Sequence, residues 1–538
     1  MKKYLLVVMA GLLLLLPGCA REQKTEIFSC VVVASEKDVP ADNRIKNQIA
    51  KKIGARADIS YKANEEYIEA MLLKGEYPDF IDAGELTGLL VKEHVLLPLD
   101  DYLDDYPNLK GLLSDWQWKR MRQEDGHIYF IPQFSVVNEK DMVVKPSEEA
   151  FYIQKRVLEW AGYPNVRTLD QYFDLIDAYI QENPISENNE RNIGFEILCD
   201  DWRYFCLENV PQFLAGYPNN GCAIVDPNTH EVSVYDTIPE ARQYYLRLSG
   251  EYDRGIIDRE CFTQSYEQYL EKIASGNVLG MVDQHWQFEQ AEAVLLEQGK
   301  IDRTYVPLGI TADESVEGAY FSKAGLNTAK GLGITTGCRD IRRAMQFLDD
   351  LLKPDIMILR NWGEEGIDYE VNEEGLFYRT KDQRENQADS EWQEKNMCRY
   401  SYFPHYNGML KDGINTVVPE EQPKEYYATL CREDRDMLDA YGFERWTDFL
   451  GEQKEIDPWY PLYVVTDKWT NDTDYGRAKE AMTEVKKEWL PQVIMASKSQ
   501  FDDVWEEYME EYDSRVDVNA YESKLEEEIA RVMTEIKE

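Results

Sequence analysis

Hydrophobic and polar positions alternate regularly along the early part of the chain. Residues 27–34 form an apolar run that predicts a strand buried on both faces. Asn43, Ile45, Ile49 and Ile53 then step at helical spacing up to Gly54, which predicts an amphipathic helix with a glycine stop. Ala57-Asp58-Ile59-Ser60-Tyr61 alternates as a strand, and a helix carrying Tyr67, Ile68, Met71 and Leu72 follows from an Asn64 cap to Gly75. Tyr77-Pro78-Asp79-Phe80-Ile81-Asp82-Ala83 predicts a short strand introduced by proline, ahead of a helix near Glu85. This β-α-β-α-β-α order predicts a mostly parallel sheet with helices on both faces, and such sheets bind ligands at the carboxyl ends of their strands. Ser35 and Glu36 after the first strand, and Asp82 and Ala83 after the third, are candidates for a binding cleft.

The two ends of the chain carry different patterns. Lys2 and Lys3 precede an apolar run, residues 5–16, and Arg21, Glu22 and Lys24 follow soon after it. A membrane-spanning helix needs about 20 apolar residues, so the run reads as a cleaved export signal. Near the other end, Phe501, Trp505 and Tyr508 mark one helical face and Tyr521, Leu525, Ile529 and Val532 another, both read as core-facing stripes. A chain of 538 residues is too long for one core and predicts two lobes or more.

Composition narrows the function classes. An apolar fraction of 43 % is that of a folded globular protein. With 59 basic and 102 acidic residues the net charge is −43, a field that repels phosphate backbones and anionic lipid, so nucleic acid is excluded as a partner. The nine cysteines include no C-x-x-C pair, and buried free thiols are favoured over one bridge among Cys199, Cys206 and Cys222. No G-x-S-x-G elbow, H-E-x-x-H or Walker loop occurs, and Gly331, Gly333 and Gly337 miss dinucleotide spacing. Residues 467–474 are rich in Asp but lack the Gly and terminal Glu of a calcium loop, so neither metal nor cofactor is expected. Among so many carboxylates a glycosidase-like pair would always be found, and that abundance removes its weight.

Two resemblances add to this reading. Leu16-Pro17-Gly18-Cys19 resembles the lipobox of bacterial lipoproteins, which implies cleavage before Cys19 and acylation of its thiol as a membrane anchor. Gly75-Glu76-Tyr77-Pro78-Asp79-Phe80-Ile81, Leu96-Leu97-Pro98-Leu99-Asp100-Asp101-Tyr102-Leu103 and Asp125-Gly126-His127-Ile128-Tyr129-Phe130-Ile131-Pro132 resemble the extracellular solute-binding proteins of carbohydrate ABC transporters. The likeness is to the large lipoprotein branch common in Gram-positive bacteria. Colinear matches follow at Val157-Leu158-Glu159-Trp160-Ala161-Gly162-Tyr163-Pro164, at Gly280-Met281-Val282-Asp283-Gln284-His285-Trp286, and at Trp362-Gly363-Glu364-Glu365-Gly366-Ile367-Asp368-Tyr369. Each motif is short; their shared order over roughly residues 27–380 makes them specific.

The resemblance implies an α/β, two-lobed periplasmic-binding-protein-like fold of type II, with mixed sheets flanked by helices and a helical C-terminal region. Expected boundaries are a signal peptide at 1–18, a lipidated tether at 19–26, a first lobe of 27–137 plus 320–356, and a second of 138–319 plus 357–538. The implied role is capture of an oligosaccharide between the lobes and delivery to ABC transporter permease subunits, by a monomer anchored through Cys19 on the extracellular face of the cell membrane. A sugar site needs a flat aromatic wall for C–H faces and polar groups that fix hydroxyls. The candidates are Trp286 with Asp283 and Gln284, then Trp202, with Trp362, Asp82, Glu36 and Tyr402 behind them. A surface carbohydrate sensor without a transporter, and a secreted glycan-degrading enzyme, are the alternatives.

Overall fold

The strand Glu26–Val33 pairs in parallel with Ala55–Lys62 on one side and with Phe80–Asp82 on the other. The helices Arg44–Ile53 and Glu66–Lys74 make the crossovers that parallel pairing demands. Asn43 caps the first of these by accepting from the Lys46 amide. Leu332–Ile334 inserts antiparallel between Phe80–Asp82 and Phe130–Ile131, which completes a mixed five-stranded sheet. Ile27 departs from the expected two-sided burial and is exposed. Phe80–Asp82 reaches only Cys30 to Val32, so the start of the first strand has a neighbour on one edge alone. The computed structural model describes residues 25–34, 36–62, 66–132, 136–146, 148–186, 189–323 and 325–537. The export signal, Cys19, Ser35 and Asn64 lie outside the described residues.

A second sheet places Glu149–Gln154 between Gly280–Gln284 and Tyr305–Leu308, all antiparallel. Glycine at 280 is set by close approach: a Cβ there would lie 2.1 Å from the Tyr172 hydroxyl, which donates to the Tyr152 carbonyl at 2.7 Å. Tyr172 belongs to the helix Leu169–Glu182, opened by a reciprocal cap between Thr168 and Gln171. The long helices Asp474–Met495, Phe501–Arg515 and Val518–Lys537 close the chain, and Phe501, Tyr508, Tyr521, Leu525 and Ile529 enter the second core as their spacing predicts. All eight described cysteines are free.

Two hydrophobic cores divide the chain, with one boundary different from expectation. Residues 357–417 were assigned by sequence to the second lobe, but Leu359, Trp362, Tyr369, Tyr400, Phe403 and Val417 pack in the first core. The reason is long-range polar stitching. The buried Arg360 guanidinium donates to the main-chain carbonyls of Leu351, Arg399, Tyr400 and Pro404 at 2.8–3.0 Å. Asn407–Gly408 also pairs with Val137–Asn138. The chain enters the second core only by Tyr426. Pro354 stands at the favoured first turn of the helix Pro354–Asn361.

Candidate functional site

The second lobe carries a cavity of about 730 Å³ whose wall includes two exposed indoles. Trp202 and Trp286 are 52 % and 45 % exposed, large values for side chains of this size. Their rings lie nearly parallel, 6.0 Å apart at 11°, and Phe205 stacks on Trp202 at 5.9 Å and 21°. The fold sets this array. Trp286 is the second residue of the helix His285–Glu297, which starts where the Gly280–Gln284 strand stops. Its Nε1 donates to Gln284 Oε1 at 2.5 Å. Trp202 sits in the short turn Asp201–Tyr204, with the Arg203 guanidinium over its ring at 4.6 Å and over Tyr266 at 3.9 Å. Asp141, Glu148, Asn209, Lys323, Tyr463 and Asp467 bring polar and aromatic groups to the same cavity.

Asp283, expected beside Trp286 as a ligand contact, is buried behind it. Its carboxyl accepts from Tyr269 Oη and Gln287 Nε2 at 2.5 Å and from the Gln284 amide at 2.7 Å. Burial pushes its pKa up to about 6. Asp283 therefore pins the strand end and the helix start on which Gln284 and Trp286 sit, and presents nothing to the cavity.

The first lobe has a smaller cavity, about 210 Å³, at the carboxyl ends of its strands. Val33, Asp82, Gly84, Lys330 and Tyr402 line it. Asp82 accepts from the Gly84 amide at 2.9 Å. Tyr402 meets Tyr61 edge-on at 5.9 Å, and burial followed by the neighbouring Glu36 carboxylate pushes its hydroxyl up to about 12. Trp362 is not part of either wall. It is fully buried, with Nε1 donating to the Thr416 carbonyl at 2.9 Å. The adjoining Gly363 has φ 92°, and a Cβ there would meet Asp368, which Arg44 grips at 2.6 and 2.8 Å. The Trp-Gly-Glu-Glu-Gly motif thus ties the first helix to a late loop.

The structure gathers Trp202, Trp286 and Gln284 on one cavity, and Asp82 and Tyr402, with Glu36 beside Tyr402, at the other. The crossing segment joins the two: residues 319–323 and 325 line the larger, and Asn327, Lys330 and Gly331 the smaller. Sequence reasoning missed Phe205, Tyr463 and Glu148. Phe205 lies three residues after Trp202, one helical turn on, and that spacing was the available signal. Asp467, weighed only as part of a calcium loop, lines the larger cavity and pairs with Lys479 at 3.0 Å.

No family model matches the chain. It is 23 % identical over 375 residues to the fructooligosaccharide ABC transporter substrate-binding protein FusA of Streptococcus pneumoniae, covering 65 % of each chain. It is 21 % identical over 378 residues to the polygalacturonan/rhamnogalacturonan-binding protein YtcQ of Bacillus subtilis, covering 66 % of this chain and 69 % of YtcQ. The chain thus spans about two thirds of the length of these curated relatives. Among solved structures, an extracellular solute-binding protein from Bifidobacterium longum subsp. infantis superposes with a TM-score of 0.60 at 16 % identity, over 94 % of this chain and 98 % of that one. The chain has the two-lobed fold of extracellular solute-binding proteins, and the relatives it resembles in sequence are named for binding oligo- or polysaccharides, one of them as the substrate-binding protein of an ABC transporter.

Proposed function

We propose that this chain is the extracellular, lipid-anchored substrate-binding subunit of an ABC importer, a monomer that captures an oligosaccharide between its lobes and delivers it to the permease subunits. The observation that carries this reading is the exposed, parallel Trp202–Trp286 pair in a cavity of about 730 Å³. A sugar ring offers an apolar C–H face and a rim of hydroxyls. Indole faces accept the first, and carboxylate and amide oxygens order the second. In this reading Trp202 and Trp286 stack on successive rings, Gln284 fixes a hydroxyl, and Asp82, Glu36 and Tyr402 close on the ligand from the first lobe. Ligand contacts to both lobes favour the closed form, which is the state the permease distinguishes. Binding rather than reaction is the task, as the names of the relatives suggest.

Calorimetry of the mature chain against a panel of linear oligosaccharides tests the proposal, with saturable binding expected for at least one. Silence across the whole panel would remove the sugar assignment. Release of reducing ends during the same incubation would move the protein to the glycanases. The anchor has its own test: Cys19→Ala should send the protein from the membrane fraction to the medium.

A further inference from the structure

We infer that the site selects neutral oligosaccharides and rejects those bearing uronate or other acidic groups. This rests on the reading of the larger cavity as the saccharide site and adds the charge class of the ligand. Kinship leaves that class open, since FusA is named for a fructooligosaccharide and YtcQ for a polygalacturonan.

The argument is a census of charge on the two walls. Asp141, Glu148 and Asp467 line the larger cavity, and Asp82 lines the smaller, with Glu36 beside Tyr402. Against these carboxylates stand two lining cations, Lys323 and Lys330, among the described residues. Both already face a carboxylate of the protein: Lys323 pairs with Glu455 at 2.6 Å, and Lys330 pairs with Glu85. Other cations near the walls are held too, Lys479 by the lining Asp467 itself at 3.0 Å. Arg203 lies against the Trp202 and Tyr266 rings, and Arg120 donates to the carbonyls of Pro458 and Tyr460. Recognition of a carboxylate calls for an open guanidinium fork or a free ammonium. A uronate entering here would meet like charge instead.

Glu148 sharpens the point. Its side chain is open to the cavity, and no salt bridge or hydrogen bond engages it among the described residues. Confinement by the surrounding protein raises its pKa. An unengaged carboxylate beside two indoles is well placed to accept a pair of sugar hydroxyls and badly placed to face a second carboxylate.

The test is calorimetry on the full mature chain with size-matched neutral and acidic oligosaccharides, oligogalacturonates serving as the acidic probe. At least one neutral probe should bind, with every oligogalacturonate weaker by about a hundredfold or more, the scale of several kcal/mol expected for juxtaposed like charges. Raising ionic strength from about 0.1 M to about 1 M shortens the Debye length from ~10 to ~3 Å and should narrow that gap from the acidic side only. Glu148→Gln with Asp467→Asn should narrow it further. An oligogalacturonate that binds as tightly as the best neutral probe overturns the inference and leaves the saccharide reading standing. Failure of both classes to bind overturns that reading and this inference with it.

Discussion

In the first lobe a buried guanidinium, Arg360, is held by four main-chain carbonyls, whereas the second lobe buries an ammonium, Lys486, against the carboxylates of Glu208 and Asp236. The same contrast extends to the cleft. The first-lobe cavity is small, and the second-lobe cavity is more than three times larger and walled by aromatic rings. The first lobe is therefore knitted by backbone, with a late chain segment sewn onto an early sheet. The second lobe joins its C-terminal helices to its core through packed aromatic and aliphatic side chains, with a buried charge cluster at Lys486, and offers most of the apolar surface for a ligand. In the proposed reading, the second lobe supplies most of the contact energy and the first supplies the closing contacts.

The contrast can be broken most directly at Lys486. Lys486→Met leaves Glu208 and Asp236 facing each other without their cation and should destabilise the second lobe by about 3–5 kcal/mol, read as a lower denaturant midpoint. An unchanged midpoint would mean that charge does not tie these helices. Next in size, Trp202→Ala with Trp286→Ala should weaken glycan binding by at least about tenfold for each ring, or about 1.4 kcal/mol apiece, with melting temperature little altered. Tyr402→Phe should lose far less; an equal loss would place the contact energy on the wrong lobe.

Acid separates the lobes by a different route. His405 lies in the first lobe, where burial and the Arg360 charge hold its pKa down to about 4, below the ordinary 6.5. The unfolded chain binds that proton more readily, so stability present above about pH 6.5 drains away as the pH falls toward 4, by at most ~1.4 kcal/mol per pH unit. Melting followed from pH 7 to 4 should show first-lobe unfolding moving down in that window, and His405→Gln should flatten the slope. The smallest expected effect is at Arg120, whose guanidinium reaches from the helix Asp115–Arg120 of the first lobe to the Pro458 and Tyr460 carbonyls of the second. Arg120→Ala should raise the glycan Kd only a few-fold, and a loss equal to that of the indoles would make closure rather than stacking dominant.

Much of the first sheet was legible because its first two parallel strands are each followed by a helix at 3.6-residue spacing, so local spacing carries the topology. Asn43 and Gly54 are local signals, and they mark that helix's ends as observed. Trp202 and Trp286 were legible because acidic and amide neighbours next to an indole at an element boundary favour exposure. Trp362 and Asp283 were misread for one physical reason. What buries them comes from elsewhere in the fold: Thr416 for Trp362, and Tyr269 and Cys206 for Asp283. The same long reach placed residues 357–417 in the wrong lobe, since no local pattern announces that Arg360 will bind carbonyls some forty residues on. Glu148 and Tyr463 approach the cavity from opposite ends of the second lobe's sequence, and only the assembled core makes them neighbours.

Gly325 lines one cavity and Asn327 the other. Two residues of chain reach at most about 7 Å, so the cavities abut where this segment passes. A saccharide outgrowing the aromatic chamber would cross into the smaller one within roughly the width of a single ring, so degree of polymerisation, more than linkage at a distant branch, would govern how firmly both halves are gripped.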